Sequence, residues 1–357
     1  MYKPTFTISP EVLSAIAEIA EIKVIIERSP VLPINELELK RQALIRQVHT
    51  STSIEGNRLA EHQVDRVLSG ETILGDEKSI REVKNYQSTV KEIERLVEKK
   101  EPFSVDFIFK LHKVLMKGLV EEEKLGCVRP GEVYIVDDYG KEGEIVKYKG
   151  PDPKKVEKLL QEMIEWYKAA TEDDLHPVLK AGILHLQFVM IHPFTDGNGR
   201  LARLLTQWSL YSDGWDFKKI IVLEEFYNRK RQDYYDAEGF VSGDEYHEGQ
   251  DFAPWLEYFV AGFLVEARKV RKVITSLGFD KANIKTQTFL DGDELKIIDM
   301  LNSTLRITSD DVMKLLSIAK RTAQVKLQGL VVKGLIKVEG KGPSTKYLLS
   351  SFDKESE

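Results

Sequence analysis

Cysteine is nearly absent from this chain. The single Cys127 in 357 residues excludes an intrachain disulfide and leaves no cysteine cluster for zinc. Long apolar runs are absent too: the longest uncharged apolar run, Tyr258 to Val265, is eight residues, against the roughly 20 needed to span a bilayer. The opening MYKPTFTISPEVLSAIAEIA has no basic segment followed by an apolar one, so a secretory leader is not expected. There is no excess of positive charge. Fifty-two Lys and Arg against 58 Asp and Glu give a net charge of −6, so no global basic field draws the chain onto nucleic acid. With 42% hydrophobic and 31% charged residues, wholesale disorder and collagen-like repeats are excluded. The expectation is a soluble cytoplasmic protein of two or three domains, at about 100–200 residues each, with no membrane partner.

What is present is mostly helical periodicity. Pro30 and Pro33 interrupt an opening helix, which resumes from Glu36 to Val48. The polar stretch HTSTSIEGN at 49–57 reads as a helix end with Gly56 as terminator, and another helix is expected over 76–99. Val133–Val136 and Ile145–Tyr148 are β-prone and flank a polar tip, which predicts a hairpin. Helices follow over 153–170, over 177–191 with Leu179, Ile183, Leu186 and Met190 as a buried stripe, over 199–211, and over 252–276. Residues 277–292 lose periodicity and read as a linker. Three helical windows (293–302, 308–315, 319–333) and two short strands then suggest a winged helix-turn-helix.

The informative stretch is IHPFTDGNGRLAR, residues 191–203. Pro193 disfavours continued α geometry at His192, and the next helix is expected only after the glycines. Thr195 to Gly199 should therefore form a tight loop in which successive N–H groups converge beneath a helix N-terminus, an anion-binding nest. Arg200 and Arg203 share a helix face opposite Leu201, Leu204, Leu205 and Trp208, so both are expected to point out over the nest. Two guanidiniums above converging amides suit a polyphosphate. Asp196 could hold Mg²⁺, which takes one or two carboxylates plus phosphate oxygens, and His192 could accept a proton from a hydroxyl. Singly, each residue reads as a cap, a turn or a solvated face.

Together, His192-Pro193-Phe194-Thr195-Asp196-Gly197-Asn198-Gly199-Arg200-Leu201-Ala202-Arg203 resembles the complete Fic signature HxFx(D/E)GNGRxxR. Eight such matches coincide by chance on the order of once in 10¹⁰ windows. The resemblance implies a mainly α fold: a Fic helical core with a β-hairpin flap. It also implies an enzyme that transfers AMP from ATP to a Ser, Thr or Tyr hydroxyl of a target protein or of itself. It makes His192 the general base, Asp196 the Mg²⁺ ligand, Phe194 the loop's anchor, Gly197, Asn198 and Gly199 the phosphate cradle, and Arg200 and Arg203 the holders of the β and γ groups. A related kinase-like branch has lysine at the position of Gly199, so this glycine favours AMP transfer over phosphoryl transfer.

Ser51-Thr52-Ser53-Ile54-Glu55-Gly56 matches the family's inhibitory motif (S/T)xxxE(G/N). The resemblance implies that Glu55 pairs with Arg203 and blocks productive γ-phosphate placement. In some members the same glutamate also supports AMP removal. The hairpin, with Gly126, Arg129 and Val133, is similar to the family's flap, which would register a target segment by main-chain pairing. Tyr234-Tyr235 is similar to the pair lining the adenine pocket, with apolar core as the alternative for one of the two.

The expected organisation is an N-terminal helical region over 1–100 with the inhibitory motif, a Fic core over 101–276 with the flap at 126–151, a linker at 277–292, and a winged helix over 293–357. Residues 312–346 hold eight Lys or Arg and one acid, Glu339, so Lys320, Arg321 and Lys326 could meet phosphates. A DNA or a protein partner is open for this tail, as is a homo-oligomer. Three function classes stand: an adenylyltransferase, a DNA-binding regulator whose Fic domain senses nucleotide, and another phosphoryl or nucleotidyl transferase.

Overall fold

The structure is a computed structural model that describes residues 2–29, 33–138, 144–172, 175–279, 290–304, 306–340 and 345–349. The tip of the hairpin at 139–143, most of the expected linker and the 341–344 part of the second turn lie outside the described residues. The N-terminal half runs α1 (Pro10–Arg28), α2 (Pro33–Ile54), α3 (Glu61–Leu68), α4 (Glu77–Glu98) and α5 (Val105–Leu115). Side chains set several starts: Ser9, Asp76 and Ser104 accept from the first-turn amides of α1, α4 and α5. Gly56 lies at φ +92° beyond the end of α2, in the left-handed region that suits glycine. The short α3 and α5 carry no strong punctuation in the sequence and become visible only in the fold.

The hairpin pairs β1 (Tyr134–Asp138) with β2 (Glu144–Lys149) antiparallel, with a register shift between Ile135 and Val136. The foot of β2 is covered by a second segment, since Lys149 N donates to Asp244 O and Tyr246 N to Lys149 O. Then follow α6 (Pro153–Glu172), α7 (Pro177–Ile191), α8 (Asn198–Ser212), α9 (Glu224–Arg229), α10 (Arg231–Ser242) and α11 (Ala253–Phe279). α7 differs from expectation. Every residue from Val178 to Ile191 is buried, because α6, α8 and α11 all pack against it, and an all-round apolar helix belongs in a core. α8 also starts earlier than expected, at Asn198, with Gly197 as its left-handed N-cap.

One hydrophobic core runs from Val12 to Ile274, so the first hundred residues share it with α5–α11. The tail has α12 (Gly292–Thr304), α13 (Ser309–Leu316) and α14 (Lys320–Val332), followed by β3 (Ile336–Glu339) paired antiparallel with β4 (Lys346–Leu349). Its separate core takes in Leu37 of α2. By its length of about 33 Å, α2 thus connects the tail at one end with Glu55 just past the other. No helix among the described residues is long and apolar enough to cross a membrane.

Candidate active site

The loop between α7 and α8 is built from short-range constraints. His192 caps α7 in a left-handed conformation (φ 47°, ψ 61°), which a non-glycine residue adopts only when its surroundings hold it there. Arg129 does the holding: its Nε donates to His192 O at 2.8 Å and its backbone N to Pro193 O at 2.9 Å. The same guanidinium donates to Gly131 O and Pro151 O at the two feet of the hairpin. Hairpin and signature loop are therefore tied through one buried side chain. On the ring of His192, Nδ1 lies 3.2 Å from Val189 O. A carbonyl can only accept, so the proton sits on Nδ1 and Nε2 keeps its lone pair. Burial, with Arg129 nearby, pushes its pKa below the usual histidine value, which keeps the ring neutral.

Phe194 is fully buried, with its ring flat on His112 at 3.8 Å between centroids. Asn198 uses its whole side chain on the Phe194 backbone, accepting from N at 2.9 Å and donating to O at 2.8 Å. It is a staple for the loop, which leaves only its main chain to meet an anion. Gly197 lies at φ +84°, and a Cβ there would come within 2.6 Å of Met116 Sδ. The first-turn N–H groups of α8 have no intrahelical acceptor and leave the nest open to a ligand.

The two arginines depart from expectation. Both are buried, because α2 and α4 pack across α8 where solvent was expected. Arg200 donates to Asp196 at 2.9 Å and lies 3.4 Å from Glu82, which in turn accepts from Asn57. Its Nε is a buried donor with no protein partner among the described residues, an arrangement suited to a phosphate oxygen. Arg203 donates from Nε to Ser51 Oγ at 2.8 Å, and from one terminal nitrogen to Ser51 O at 3.0 Å and Glu55 Oε1 at 2.7 Å. Burial alone would depress this guanidinium, but the Glu55 carboxylate, together with the neighbouring Tyr234 and Tyr86, makes the net shift upward. Gly199 makes room for the pair: a Cβ there would lie 2.6 Å from Glu55 Oε1.

Tyr235 is 44% exposed and donates to Ile54 O at 3.2 Å, beside the end of α2. Tyr234 is buried, stacked on Tyr227 and 3.0 Å from His185 Nε2. Of the two tyrosines expected at an adenine pocket, only Tyr235 therefore presents a surface. Asp196 offers a carboxylate, and no group of three or more His, Cys, Asp or Glu among the described residues could hold a metal unaided. A Mg²⁺ ion here would be completed by phosphate oxygens and water, which is its usual habit. His112, Glu82 and Asn57 were not singled out in the sequence. His112 falls on the buried stripe of α5 with Ile108, Leu111 and Leu115, where an ordinary core histidine is indistinguishable from a functional one.

In the tail, two of the residues expected to face phosphates are already paired, Lys320 with Asp310 and Lys326 with Asp291 and Asp293, and the nearby Lys333 is paired with Glu294. The acids lie largely outside the 312–346 window that reads as basic, and this lowers the positive field of that surface.

Residues 102–210 match the Fic/DOC family model. The chain is 28% identical over 215 residues to protein adenylyltransferase Fic of Nematostella vectensis, covering 57% of this chain and 45% of that protein. It is 30% identical over 179 residues to its namesake in Drosophila willistoni, covering 49% and 34%. The chain thus spans less than half the length of these relatives. A Fic family protein from Desulfovibrio desulfuricans superimposes with a TM-score of 0.63 at 25% identity, over 98% of this chain and 99% of that one. A Fic domain protein from Bacteroides thetaiotaomicron, 21% identical with a TM-score of 0.59 over 73% of this chain, shares the fold. With the signature loop, its helical frame and these matches in agreement, residues 102–210 form a Fic/DOC domain.

Proposed function

We propose that this protein transfers AMP from ATP to a hydroxyl of a protein, and that Glu55 holds it in an inhibited state. The reading rests chiefly on the buried Arg203 gripped by Ser51 and Glu55 at one end of the α8 nest. The target hydroxyl oxygen attacks the α-phosphorus, the bond from that phosphorus to the bridging oxygen breaks, and pyrophosphate leaves. The hydroxyl proton goes to His192 Nε2, whose lone pair is kept available by the Nδ1 contact with Val189 O. The α8 amides, Arg200 Nε and a released Arg203 take the charge that develops on the leaving group. Asp196 would hold Mg²⁺ together with phosphate oxygens, and the ion would neutralise part of the triphosphate charge.

The target segment docks on the hairpin. Asp244 to Tyr246 already cover the foot of β2, which leaves β1 as the edge for an added strand. We assign 1–100 to regulation, 101–276 to catalysis and 293–357 to a winged helix that binds a partner. The pairing of Lys320, Lys326 and Lys333 favours a protein partner over DNA for this tail. Incubation with α-labelled and, separately, γ-labelled ATP tests the reaction. Transfer of the α label alone is expected, and transfer of the γ label would replace it with phosphoryl transfer.

A further inference from the structure

We propose that His112 is a positioning residue that sets the peptide plane between Asp196 and Gly197, and through it aims the phosphate nest; this rests on reading that loop as a nest. His112 lies on α5 and is 1% exposed. Its Nδ1 accepts from Gly126 N at 2.9 Å, and its Nε2 lies 3.1 Å from Asp196 O. A neutral imidazole carries one N–H. With Nδ1 occupied as acceptor, the proton is on Nε2 and is donated to the Asp196 carbonyl. The tautomer is dictated by the two main-chain groups that bracket the ring.

A trans peptide is planar, with C=O and N–H on opposite edges. Holding the Asp196 carbonyl therefore orients the Gly197 N–H, which points to Asp196 Oδ1 at 2.5 Å. Nothing in the loop's own sterics does this. Gly197 is at φ +84°, and glycine tolerates either sense of the preceding peptide at little cost, so the His112 bond adds an external lock to the loop's own contact with Asp196 Oδ1. His112 also cannot swing away without losing its stack on Phe194, where the rings are 10° from parallel. The same ring reaches Gly126, which leads towards the flap. A Cβ on Gly126 would lie 2.7 Å from Phe109 O, so that segment is pressed close onto α5. One side chain thus fixes nest, loop anchor and flap approach together.

Glutamine and asparagine separate its two bonds. In His112→Gln the amide nitrogen replaces Nε2 and keeps the donor to Asp196. In His112→Asn the amide oxygen replaces Nδ1 and keeps only the acceptor for Gly126. In the full chain with Glu55→Gly, the Gln variant should bind ATP within about threefold of its parent. The Asn variant should bind about tenfold more weakly and lose on the order of 10²-fold in kcat/KM, with a displaced Gly197 amide resonance. A merely structural role would lower Tm and active fraction in both variants and leave the ATP Kd of the folded protein unchanged. Equal ATP affinity in the two variants, or an unmoved Gly197 resonance in the Asn variant, overturns the proposal. Should the Asn variant not fold, the imidazole ¹⁵N spectrum of the unsubstituted protein decides, because a proton on Nδ1 of His112 also overturns it. If the parent binds ATP but transfers no AMP, the reaction assignment fails while these measurements still judge His112.

Discussion

Replacing Glu55 by glycine removes one charged acceptor from Arg203 and leaves the rest of that guanidinium's setting intact. Ser51 still accepts through Oγ at 2.8 Å and through its carbonyl at 3.0 Å, so the arginine stays in place with one N–H of that terminal nitrogen released. A hydrogen bond to a charged group is worth about 1.5–3 kcal/mol. The Arg203 side chain is 1% exposed but that of Glu55 is 27% exposed, and solvent screening on the carboxylate side argues for the lower part of that range. At about 1.5–2 kcal/mol, the competent fraction and hence AMP transfer at subsaturating ATP should rise about 10- to 30-fold. The assay is incorporation of α-labelled ATP into protein, with ATP affinity and Tm measured on the same samples. Glu55→Gln, which keeps a neutral acceptor, should fall between the two. A Glu55→Gly protein that folds and binds ATP yet labels no faster than the unsubstituted chain refutes the inhibitory pairing.

Other perturbations bear on the same geometry. His192→Ala should abolish labelling in the Glu55→Gly background while ATP still binds; labelling at the parental rate would remove the histidine from the reaction. Gly199→Ala places a methyl group 2.6 Å from Glu55 Oε1, closer than the two can sit, and should raise labelling in the unsubstituted chain but not when Glu55 is already glycine. Burial of the charged form lowers the His112 pKa from 6.5 to about 4. This group therefore contributes stability that is full above pH 6.5 and is lost as pH falls towards 4. Between pH 7.5 and 5 the loss should be about 2 kcal/mol, read as a urea-midpoint shift that His112→Gln diminishes; parallel pH profiles for the two proteins would contradict it. Leu37→Asp puts an unpaired charge into the core shared by α2 and the tail. It should cost about 3 kcal/mol locally, seen as faster hydrogen exchange in α12–α14 with α7 still protected.

The mainly helical class was legible because periodicity and caps act locally. Gly56, read as a terminator, lies at φ +92° just past the end of α2, and such signals need no knowledge of the rest of the fold. Periodicity misled where packing density decided. The stripe expected on α7 is a helix buried on all sides, and the polar face expected on α8 is an interface with α2 and α4. In the tail, the count of basic residues in one window missed acids that fold back from α12 and α13.

By itself, the sequence determined the chemistry of residues 192–203. These residues are contiguous, so a proline, two glycines and a helix start are enough to bring a histidine, a carboxylate and converging amides into one loop. It also determined that a glutamate stands at position 55, in a segment that reads as a helix end. Only tertiary structure decided what each group meets. Arg203 and Glu55 are 148 residues apart in the chain and 2.7 Å apart in space. Arg200 is buried against a carboxylate of α4, and His112 reaches the loop from α5 across 84 residues. Those contacts depend on how helices stack around α7, a property of summed side-chain volumes across the whole core, and no local pattern encodes it.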